Sequence, residues 1–456
     1  MKKINFWDIA KKFFEINKFN VATNYPGSKS SKIIDENPNY EYGISLNEKI
    51  SYEVAYGASL SGSNSVVSIK NVGLSAAADP YLNSVLTGVD KPMLVFVVDD
   101  IWVYSSQNMQ DSRHFLDFYN APCFEPRDVK TAPNILLEAT LLSQKTRLPV
   151  MIRLTNEFLE QDCSDKILEK ISRFEEKEEL PIKKEYFLTH PRYEKTQRLY
   201  LNKRINILLN QNEKSSLNYL KGDKSKELDI VFGATKCESK NDRMVIQTYP
   251  IPNKKIKKIA DKYAKINVYE EGQAYGYEKL KALLKKPLES FVAPIPDNSH
   301  RIFHLNKYEK IFSEINNVSE KKVFGDLNYF SNESTNIYDS ILCLGGAIAA
   351  AIGSKLAGKK NVFAILGDGA LLHSSIISLH EAISKNIDIN VIIIDNGGSL
   401  STGGHKFCTP IEKVLQGIKY EKSDFSNLNK KNIQKILGEM LKSKETSVWL
   451  INDYEK

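Results

Sequence analysis

Residues 361–399 read NVFAILGDGALLHSSIISLHEAISKNIDINVIIIDNGGS, and this stretch decides the fold class. Two apolar runs, VFAIL and INVIII, flank a helical pattern, which predicts two neighbouring strands of a parallel sheet joined by a helix. The tripeptide GDG at 367–369 ends the first run, and Asn396 follows the second. Asp368 and Asn396 are therefore expected side by side at the carboxyl ends of adjacent strands, where open α/β sheets hold ligands.

The residue types at this edge suit a divalent cation and a diphosphate. The carboxylate of Asp368, the side-chain amide of Asn396 and the backbone carbonyl of Gly398 are hard oxygen donors, and we expect them to ligate Mg²⁺. The glycines on either side of Asp368 let a diphosphate approach the backbone, and the following helix directs free N–H groups towards it. The expected cofactor-binding residues of this segment are Gly367, Asp368, Gly369, Ala370, Asn396 and Gly398.

Two other interpretations of the GDG segment stay open. It begins like the dinucleotide fingerprint GxGxxG, although Leu372 occupies the third glycine position. It is also compatible with a tight turn in a sheet that binds no ligand. The full arrangement, GDG followed by 26 residues and then Asn396, resembles that of thiamine diphosphate enzymes, in which the Asp and the Asn hold the metal that anchors the diphosphate.

Length and composition exclude several classes of protein. The 456 residues correspond to about three domains, and a hydrophobic content of 42% excludes a disordered or fibrous chain. A net charge of +7 is a mild excess that does not indicate a nucleic-acid partner. The N-terminal segment predicts an amphipathic helix and not a signal sequence. No apolar window approaches the ~20 residues that span a bilayer, so we expect a cytoplasmic protein without a membrane segment.

The cysteines are dispersed along the chain. They form no CxxC pair and stand at Cys123, Cys163, Cys237, Cys343 and Cys408. A [4Fe–4S] cluster is normally held by four thiolates, so no iron–sulfur cluster is expected in this chain. Free thiols in a reducing compartment are the simpler interpretation. Cys343 begins a helix of small residues, where a packed thiol is expected.

Alternating strand and helix patterns predict an α/β protein of three doubly wound domains. The first is expected over 1–160. The segment 161–225 is dense in charge and poor in apolar residues, which indicates a solvated helical connection. A second α/β domain is expected over 226–308, and a third over 309–456.

A carboxylate for the other end of a thiamine cofactor is also present in the sequence. The aminopyrimidine must be pushed to its imino form, which requires a carboxylate with a raised pKa. Glu48, in SLNEKISYEVAYGASLSG, begins a helix whose small residues allow close packing. An ordinary first-turn glutamate, favoured by the helix dipole, is the alternative. Glu53, inside the same helix, has the character of a solvated or packed residue.

Several further segments have to be considered together. They are NYPGSKSSKIIDE, SLNEKISYEVAYGAS, IKNVGLSAAADP, VVDDIWVYSSQNMQDSRHF, ILCLGGAIAAAIG and the GDG region running into STGGH. Together they resemble the large (alpha) subunit of indolepyruvate ferredoxin oxidoreductase, from about Tyr25 to the end of the chain. The resemblance implies a pyrimidine-binding, a transketolase C-terminal-like and a diphosphate-binding domain, in that order. It also supports Glu48 and implies conversion of aryl 2-oxo acids to acyl-coenzyme A, with electrons passing to ferredoxin.

The resemblance implies roles for residues outside the GDG segment. His373 matches a family histidine that could move protons near the cofactor, although it could instead be a helix-start histidine bonded to backbone. Arg113 matches a family arginine that could hold a substrate carboxylate, but an internal pair with Asp111 or Asp117 is equally compatible. Lys29 faces either bulk water or an anionic group of the substrate. The catalytic candidates are Glu48, His373 and Arg113. The substrate-binding candidates are Ser28, Lys29, Asn71, Arg113 and His405.

The departures from the family concern electron transfer. The family continues into a ferredoxin-like domain with [4Fe–4S] clusters, whereas this sequence stops at Lys456. The family's CPGCPH-type run is replaced by RIFHLNKYEKIF, and KHVGLN appears as KNVGLS. We therefore expect this chain alone not to pass electrons to ferredoxin.

The combined hypothesis is an enzyme that binds thiamine diphosphate and Mg²⁺ and decarboxylates a 2-oxo acid to a cofactor-bound enamine. Oxidation of that enamine by a redox subunit on another chain is the first possible outcome. Non-oxidative release of an aldehyde, or carboligation, is the second. A cofactor-binding subunit without activity of its own is a further alternative. The resemblance also implies a homodimer.

Overall fold

The computed structural model describes residues 2–35, 43–101, 106, 108–175, 180, 183–222, 224–292, 307–327, 337–400, 404–407 and 409–454. The chain divides into two compact units, Met1–Pro296 (unit 1) and Asp297–Lys456 (unit 2). The division into 1–160, 161–225, 226–308 and 309–456 stays a prediction.

Unit 1 alternates strands and helices along most of its length. Its strands are β1 (Lys3–Ile4), β2 (Phe19–Asn24), β3 (Gly43–Ile44), β4 (Asn64–Lys70), β5 (Met93–Asp99), β6 (Cys123–Phe124), β7 (Val150–Thr155), β8 (Cys163–Ser164), β9 (Tyr219–Lys221), β10 (Glu227–Phe232), β11 (Asp242–Ile246), β12 (Thr248–Tyr249), β13 (Lys265–Glu270) and β14 (Leu288–Val292). Its helices are α1 (Phe6–Ile16), α2 (Lys32–Asp35), α3 (Glu48–Leu60), α4 (Ala78–Thr87), α5 (Arg113–Tyr119), α6 (Ala132–Thr146), α7 (Asn156–Leu159), α8 (Glu194–Lys214), α9 (Asn253–Ala260) and α10 (Tyr275–Leu283).

The strands of unit 1 form two large sheets and one small one. The seven-stranded sheet has the order β12-β6-β7-β5-β4-β2-β3 and is parallel except for β12. The five-stranded sheet has the order β14-β13-β10-β11-β9 and is parallel except for β9. Strands β1 and β8 pair separately and antiparallel. Every residue of β4, β5 and β7 is buried, as expected for a parallel sheet covered on both faces.

The N-terminal segment is the amphipathic helix that the sequence predicts. Asn5 and Asp8 form a capping box at the start of α1, so the helix begins where its first backbone N–H groups are satisfied. The apolar face of α1 is buried, and Phe14 packs against Phe19 and Phe96 at ring-centroid distances of 4.8 and 5.8 Å. Burying such aromatic rings contributes about 1.5–3 kcal/mol each.

Unit 2 contains one parallel sheet. Its strands are β15 (Lys322–Gly325), β16 (Ser340–Ile341), β17 (Val362–Gly367), β18 (Asn390–Asp395), β19 (Glu421–Asp424) and β20 (Ser447–Asn452). Its helices are α11 (Glu309–Asn316), α12 (Ala347–Leu356), α13 (Asp368–Ala370), α14 (Ile376–Ser384), α15 (Ile411–Val414) and α16 (Lys430–Lys442). The strand order is β16-β15-β17-β18-β20-β19, with every pair parallel.

Alternate residues of the unit 2 strands point to opposite faces of the sheet, as the period of a strand requires. One face carries Phe363, Ile392 and Trp449, which pack in a single cluster with apolar residues of α11 and α16. The strands and helices predicted around GDG are therefore present, and the α/β fold class is confirmed. Among the residues that the structure describes, no helix is long and apolar enough to cross a bilayer.

Candidate functional site

The carboxyl ends of β17 and β18 bring the predicted residues of unit 2 to one edge. Gly367 lies opposite Ile394 in the register of the two strands. The next residues, Asp368 and Asp395, therefore leave the sheet side by side, and Asn396 follows at the same edge. Asp395 was not predicted from the sequence, although it is the direct neighbour of Asp368. The sequence did offer a signal for Asp395, because it is the charged residue that directly ends the run INVIII.

Several side-chain oxygen atoms of this edge are buried and accept no hydrogen bond from the described residues. Oδ2 of Asp368 and Oδ1 of Asn396 are among them, as is Oδ1 of Asn452 on the neighbouring strand β20. Asp368 is only 4% exposed, and its other oxygen accepts a 2.7 Å hydrogen bond from the backbone N–H of Gly369. A buried acceptor without a partner costs about 1–3 kcal/mol, so such atoms normally meet water or an ion. A carboxylate oxygen and an amide oxygen are hard donors, and these residues fit Mg²⁺.

The electrostatics of the edge agree with a cation site. Burial, and with it the neighbouring carboxylate of Asp395, raises the pKa of Asp368 to about 7. The backbone N–H groups of Gly369 and Gly398 act in the opposite direction. Two buried carboxylates in contact repel each other when both are ionised, and a divalent cation relieves that repulsion.

The loop after β18 is folded back by the segment around His405. The backbone N–H of Ser399 donates to the carbonyl of His405 at 2.9 Å, and the two residues form a β-bridge. A Cβ atom at Gly398 would lie 2.4 Å from that carbonyl, so only glycine fits there. The Gly398 carbonyl accepts a 3.0 Å hydrogen bond from Leu400 and keeps a second lone pair for a ligand. The structure thus brings Gly398 and His405 together through their backbones.

His373 lies in a π-helical turn, Leu371–Ser375, between α13 and α14. Such turns are frequent at functional sites. Its Nδ1 is 3.1 Å from Oγ of Ser374, and the ring is half-buried. Burial raises the pKa of Asp326, which follows β15, and the nearby His373 acts in the opposite direction. His373 is therefore on the same helical segment as Asp368, and its catalytic role stays a prediction.

Asp326 is a buried carboxylate that was not predicted from the sequence. It follows the short strand β15 and is fully buried. Its oxygens accept backbone hydrogen bonds from Gly345 at 2.8 Å and Ala347 at 3.2 Å, which fix the loop before α12. A Cβ atom at Gly345 would overlap Oγ of Ser374 at 1.8 Å, so this loop lies directly against the turn that carries His373. A strand of four residues gave too little periodic pattern to identify this position.

The stability of the protein without added metal should depend on Asp326 and pH. Burial raises the pKa of Asp326 to about 6. The folded state then binds this proton more tightly than the unfolded chain, so the stabilisation is complete below about pH 4 and is lost as the pH rises through about 6. Urea unfolding gives the free energy of unfolding of the wild type and of Asp326→Asn at each pH. The wild-type value minus the variant value should fall by on the order of 3 kcal/mol as the pH rises from about 4 to above 6. A difference that is constant from about pH 4 to 7 would contradict the burial argument.

Glu48 in unit 1 is the first residue of α3 and is buried, with 6% exposure. Asn47 caps the helix by accepting a 2.8 Å hydrogen bond from Ile50. A Cβ atom at Gly73 would lie 2.3 Å from Oε1 of Glu48, so the glutamate packs directly on the backbone after β4. Glu53, in contrast, is exposed and pairs with Lys49. The two glutamates of α3 are therefore distinguished by burial.

The carboxyl end of β4 carries two further polar residues. Asn71 is fully buried, donates from Nδ2 to the carbonyl of Gln110 at 2.9 Å, and has an Oδ1 atom without a partner among the described residues. Lys70 is also buried and lies 3.8 Å from Oδ2 of Asp100. Burial lowers the pKa of Lys70 to about 8. Lys70 was not predicted as a site residue, although it ends a strand whose other residues are all buried or apolar.

The geometry around Arg113 supports the internal pair that the sequence left open. Arg113 has no exposed surface. Its Nε donates to Asp111 at 2.9 Å, and one terminal nitrogen donates to Glu270 at 2.8 Å. The other terminal nitrogen donates to Asp111 and to the backbone carbonyls of Glu271 and Gln273. With its donors used in this way, we do not propose Arg113 as a ligand of the substrate.

The loop after β2 carries the remaining substrate-binding candidates. Ser28 begins the 3₁₀ turn Ser28–Ser31, and its side chain lies outside the described part of the chain. Lys29 forms a 3.2 Å ion pair with Glu160 at the surface, and the Lys29 side chain is 34% exposed. The pair makes Lys29 a partly solvated residue, and its contact with a substrate stays a prediction.

The cysteines whose placement is described are Cys123 and Cys163, which are buried, Cys237, which is half-buried, and Cys343, which is exposed. The expectation of a packed Cys343 is wrong because α12 begins only at Ala347, which leaves the thiol on the loop before the helix. Cys408 lies outside the described residues.

Several known proteins are similar to this chain in sequence. Residues 325–444 match the family "Thiamine pyrophosphate enzyme, C-terminal TPP binding domain". The chain is 24% identical to indolepyruvate oxidoreductase subunit IorA of Methanothermobacter thermautotrophicus, over 84% of this chain and 73% of that protein. It is 36% identical to IorA of Thermococcus kodakarensis over 29% of this chain and 21% of that protein.

A solved structure shows the same fold. The 2-oxoglutarate:ferredoxin oxidoreductase from Magnetococcus marinus superposes with a TM-score of 0.53 at 12% identity, over 64% of this chain and 62% of that chain. The resemblance to the large subunit of indolepyruvate ferredoxin oxidoreductase is thus confirmed. The chain is an enzyme of the thiamine pyrophosphate-dependent type, similar over most of its length to the IorA subunits.

Proposed function

We propose that this chain binds thiamine diphosphate through Mg²⁺ and catalyses the decarboxylation of a 2-oxo acid. The observation that carries the proposal is the pair of buried oxygen atoms, Asp368 Oδ2 and Asn396 Oδ1, that lack partners among the described residues at the ends of adjacent parallel strands. When bound, the cofactor supplies a nucleophilic carbon and an electron sink for the carbanion that decarboxylation leaves. The protein supplies binding, orientation and proton transfer.

The cation and the diphosphate would be held by unit 2. Asp368 and Asn396 offer side-chain oxygens, and Gly398 offers a backbone carbonyl with a free lone pair. Gly367, Gly369 and Ala370 have no side chain or a small one, so the N–H groups at the start of the helix that begins at Asp368 would be accessible to a diphosphate. These donors would hold the metal and, through it, the diphosphate.

The proton chemistry would be carried by Glu48 of unit 1. Glu48 is 6% exposed, and its buried carboxylate would share a proton with a ring nitrogen of the cofactor. His373, in the π-helical turn that follows α13, would exchange protons with the substrate. The close contact of Glu48 with Gly73 fixes the position of its carboxylate.

The substrate would be a 2-oxo acid. The relatives are named for indolepyruvate, so aryl 2-oxo acids are the first candidates. Lys70 and Asn71, buried at the end of β4, are better placed than Arg113 to meet a carboxylate or keto oxygen, because Arg113 is fully buried and paired with Asp111 and Glu270. Oxidation of the intermediate would require an electron acceptor. A homodimer and the lack of an iron–sulfur cluster in this chain stay predictions.

An anaerobic assay with a panel of 2-oxo acids tests the proposal. Purified protein with thiamine diphosphate and Mg²⁺ should release CO₂ from at least one aryl 2-oxo acid. An aldehyde or carboligation product without an electron acceptor would indicate the non-oxidative outcome. Dependence on a redox dye or a separate subunit would indicate the oxidative one. Cofactor binding without CO₂ release from any acid, with and without acceptors, would contradict the proposed activity.

A further inference from the structure

The two residues after the last strand of unit 2 lie against the loop that carries the candidate metal ligands. Strand β20 ends at Asn452, yet the backbone N–H of Asp453 still donates to the carbonyl of Asp395 at 2.8 Å. Residues beyond a terminal strand usually fray unless something holds them. Here they are held by the 395–398 loop, which contains Asn396 and Gly398.

Tyr454 contacts this loop through its hydroxyl and its ring. The hydroxyl donates to Oδ2 of Asp395. The other carboxylate oxygen of Asp395 accepts a 3.1 Å hydrogen bond from the backbone N–H of Gly397. A Cβ atom at Gly397 would lie 3.2 Å from Cδ1 of Tyr454, so the ring packs on the loop backbone. Both oxygens of Asp395 are thus used to hold the loop, which leaves Asp368 as the carboxylate available to a cation.

Asp453 connects the same loop to Tyr308, which precedes α11, through a hydrogen bond. The carboxylate of Asp453 accepts hydrogen bonds from the hydroxyl of Tyr308 and, at 2.7 Å, from Nζ of Lys307. Tyr308 is itself hydrogen-bonded to the side chain of Asn396. Because Oδ1 of Asn396 has no partner among the described residues, that bond uses the amide nitrogen. The amide is therefore oriented with its oxygen left for a ligand.

We propose that Asp453 and Tyr454, acting with Tyr308, are positioning residues for the divalent cation at the diphosphate site. Tyr454 fixes Asp395 beside Asp368, and the Asp453–Tyr308 pair fixes the amide of Asn396. This inference rests on the proposed function, because it concerns the same cation. Partners that orient metal ligands typically change metal affinity by about 10- to 100-fold when they are removed.

The test measures Mn²⁺ binding by electron paramagnetic resonance in the presence of thiamine diphosphate. Tyr454→Phe keeps the ring and removes only the hydroxyl of a side chain that is 55% exposed, so the protein should fold normally. Asp453→Asn weakens the link to Tyr308. Each variant should bind Mn²⁺ about 10- to 100-fold more weakly, with an altered spectrum of the bound ion. Thermal unfolding of the metal-free variants should match that of the wild type.

Tyr420→Phe is the matched control. Tyr420 precedes β19, so it lies at the amino-terminal edge of the parallel sheet, opposite the cation site. This variant should bind Mn²⁺ as the wild type does. Wild-type affinity in both Tyr454→Phe and Asp453→Asn would overturn the inference. A wild-type protein that binds no Mn²⁺ with thiamine diphosphate would overturn the proposed function instead.

Discussion

Glu48→Gln is expected to slow turnover by about 10²- to 10⁴-fold, which is the usual contribution of a general acid or base. The glutamine keeps the shape of the side chain and its packing on Gly73. It cannot share a proton as a carboxylate does, so the cofactor would not be activated. Binding of thiamine diphosphate should change little, because on the proposed function the diphosphate would be held by unit 2. Exchange of the C2 proton of bound cofactor, followed by acid quench and NMR, measures the activated step directly.

Glu53→Gln is the matched control for this experiment. Glu53 lies on the same helix, and its side chain is 45% exposed in an ion pair with Lys49. This variant should retain wild-type turnover and wild-type C2 exchange. Normal C2 exchange in Glu48→Gln would remove Glu48 from the mechanism. Equal losses in both variants would indicate a general effect on α3.

Arg153→Met is expected to destabilise the protein by about 3–5 kcal/mol, because it leaves buried carboxylates without their cation. Arg153 has no exposed surface. It donates to Asp99 at 2.6 Å and to Glu125, and it lies 3.6 Å from Asp111. Burial alone would raise the pKa of Asp111, but Arg113 and Arg153 hold it well below its ordinary value. This network joins the carboxyl ends of β5, β6 and β7.

Urea unfolding measures this loss, and Arg198→Met provides the control. Arg198 pairs with Glu194 on the surface of α8, where both side chains are about half exposed. Removing such a pair should cost about 0.3–0.5 kcal/mol. A loss below about 1 kcal/mol in Arg153→Met would mean that water or a rearrangement compensates the buried charges.

The parts of the fold that the sequence predicted are those with a strong local pattern. The runs VFAIL at 362–366 and VIII at 391–394 predicted adjacent parallel strands, because each is a continuous apolar segment ended by glycine or a polar residue. The edge containing Asp368 and Asn396 follows from that pairing alone. In unit 1 the same argument holds for β5, whose residues 93–98 are a continuous apolar run ended by Asp99.

The parts that could not be predicted depend on contacts between distant segments. Arg113 is paired with Glu270, which is 157 residues further along the chain, and no local pattern relates the two. The burial of Glu48 and the exposure of Glu53 depend on the backbone at Gly73. The contact of Tyr454 with Asp395 likewise requires the strand order of the sheet.

Calorimetric titration of thiamine diphosphate, with and without Mg²⁺, tests the central claim that Asp368 and Asn396 hold the metal of a diphosphate site. The wild-type protein should bind the cofactor only when Mg²⁺ is present. Asp388→Ala is the control, because Asp388 pairs with Lys355 near the opposite edge of the sheet. It should bind like the wild type, whereas Asp368→Ala should show no Mg²⁺-dependent binding. Undiminished, Mg²⁺-dependent affinity in Asp368→Ala would contradict the assignment.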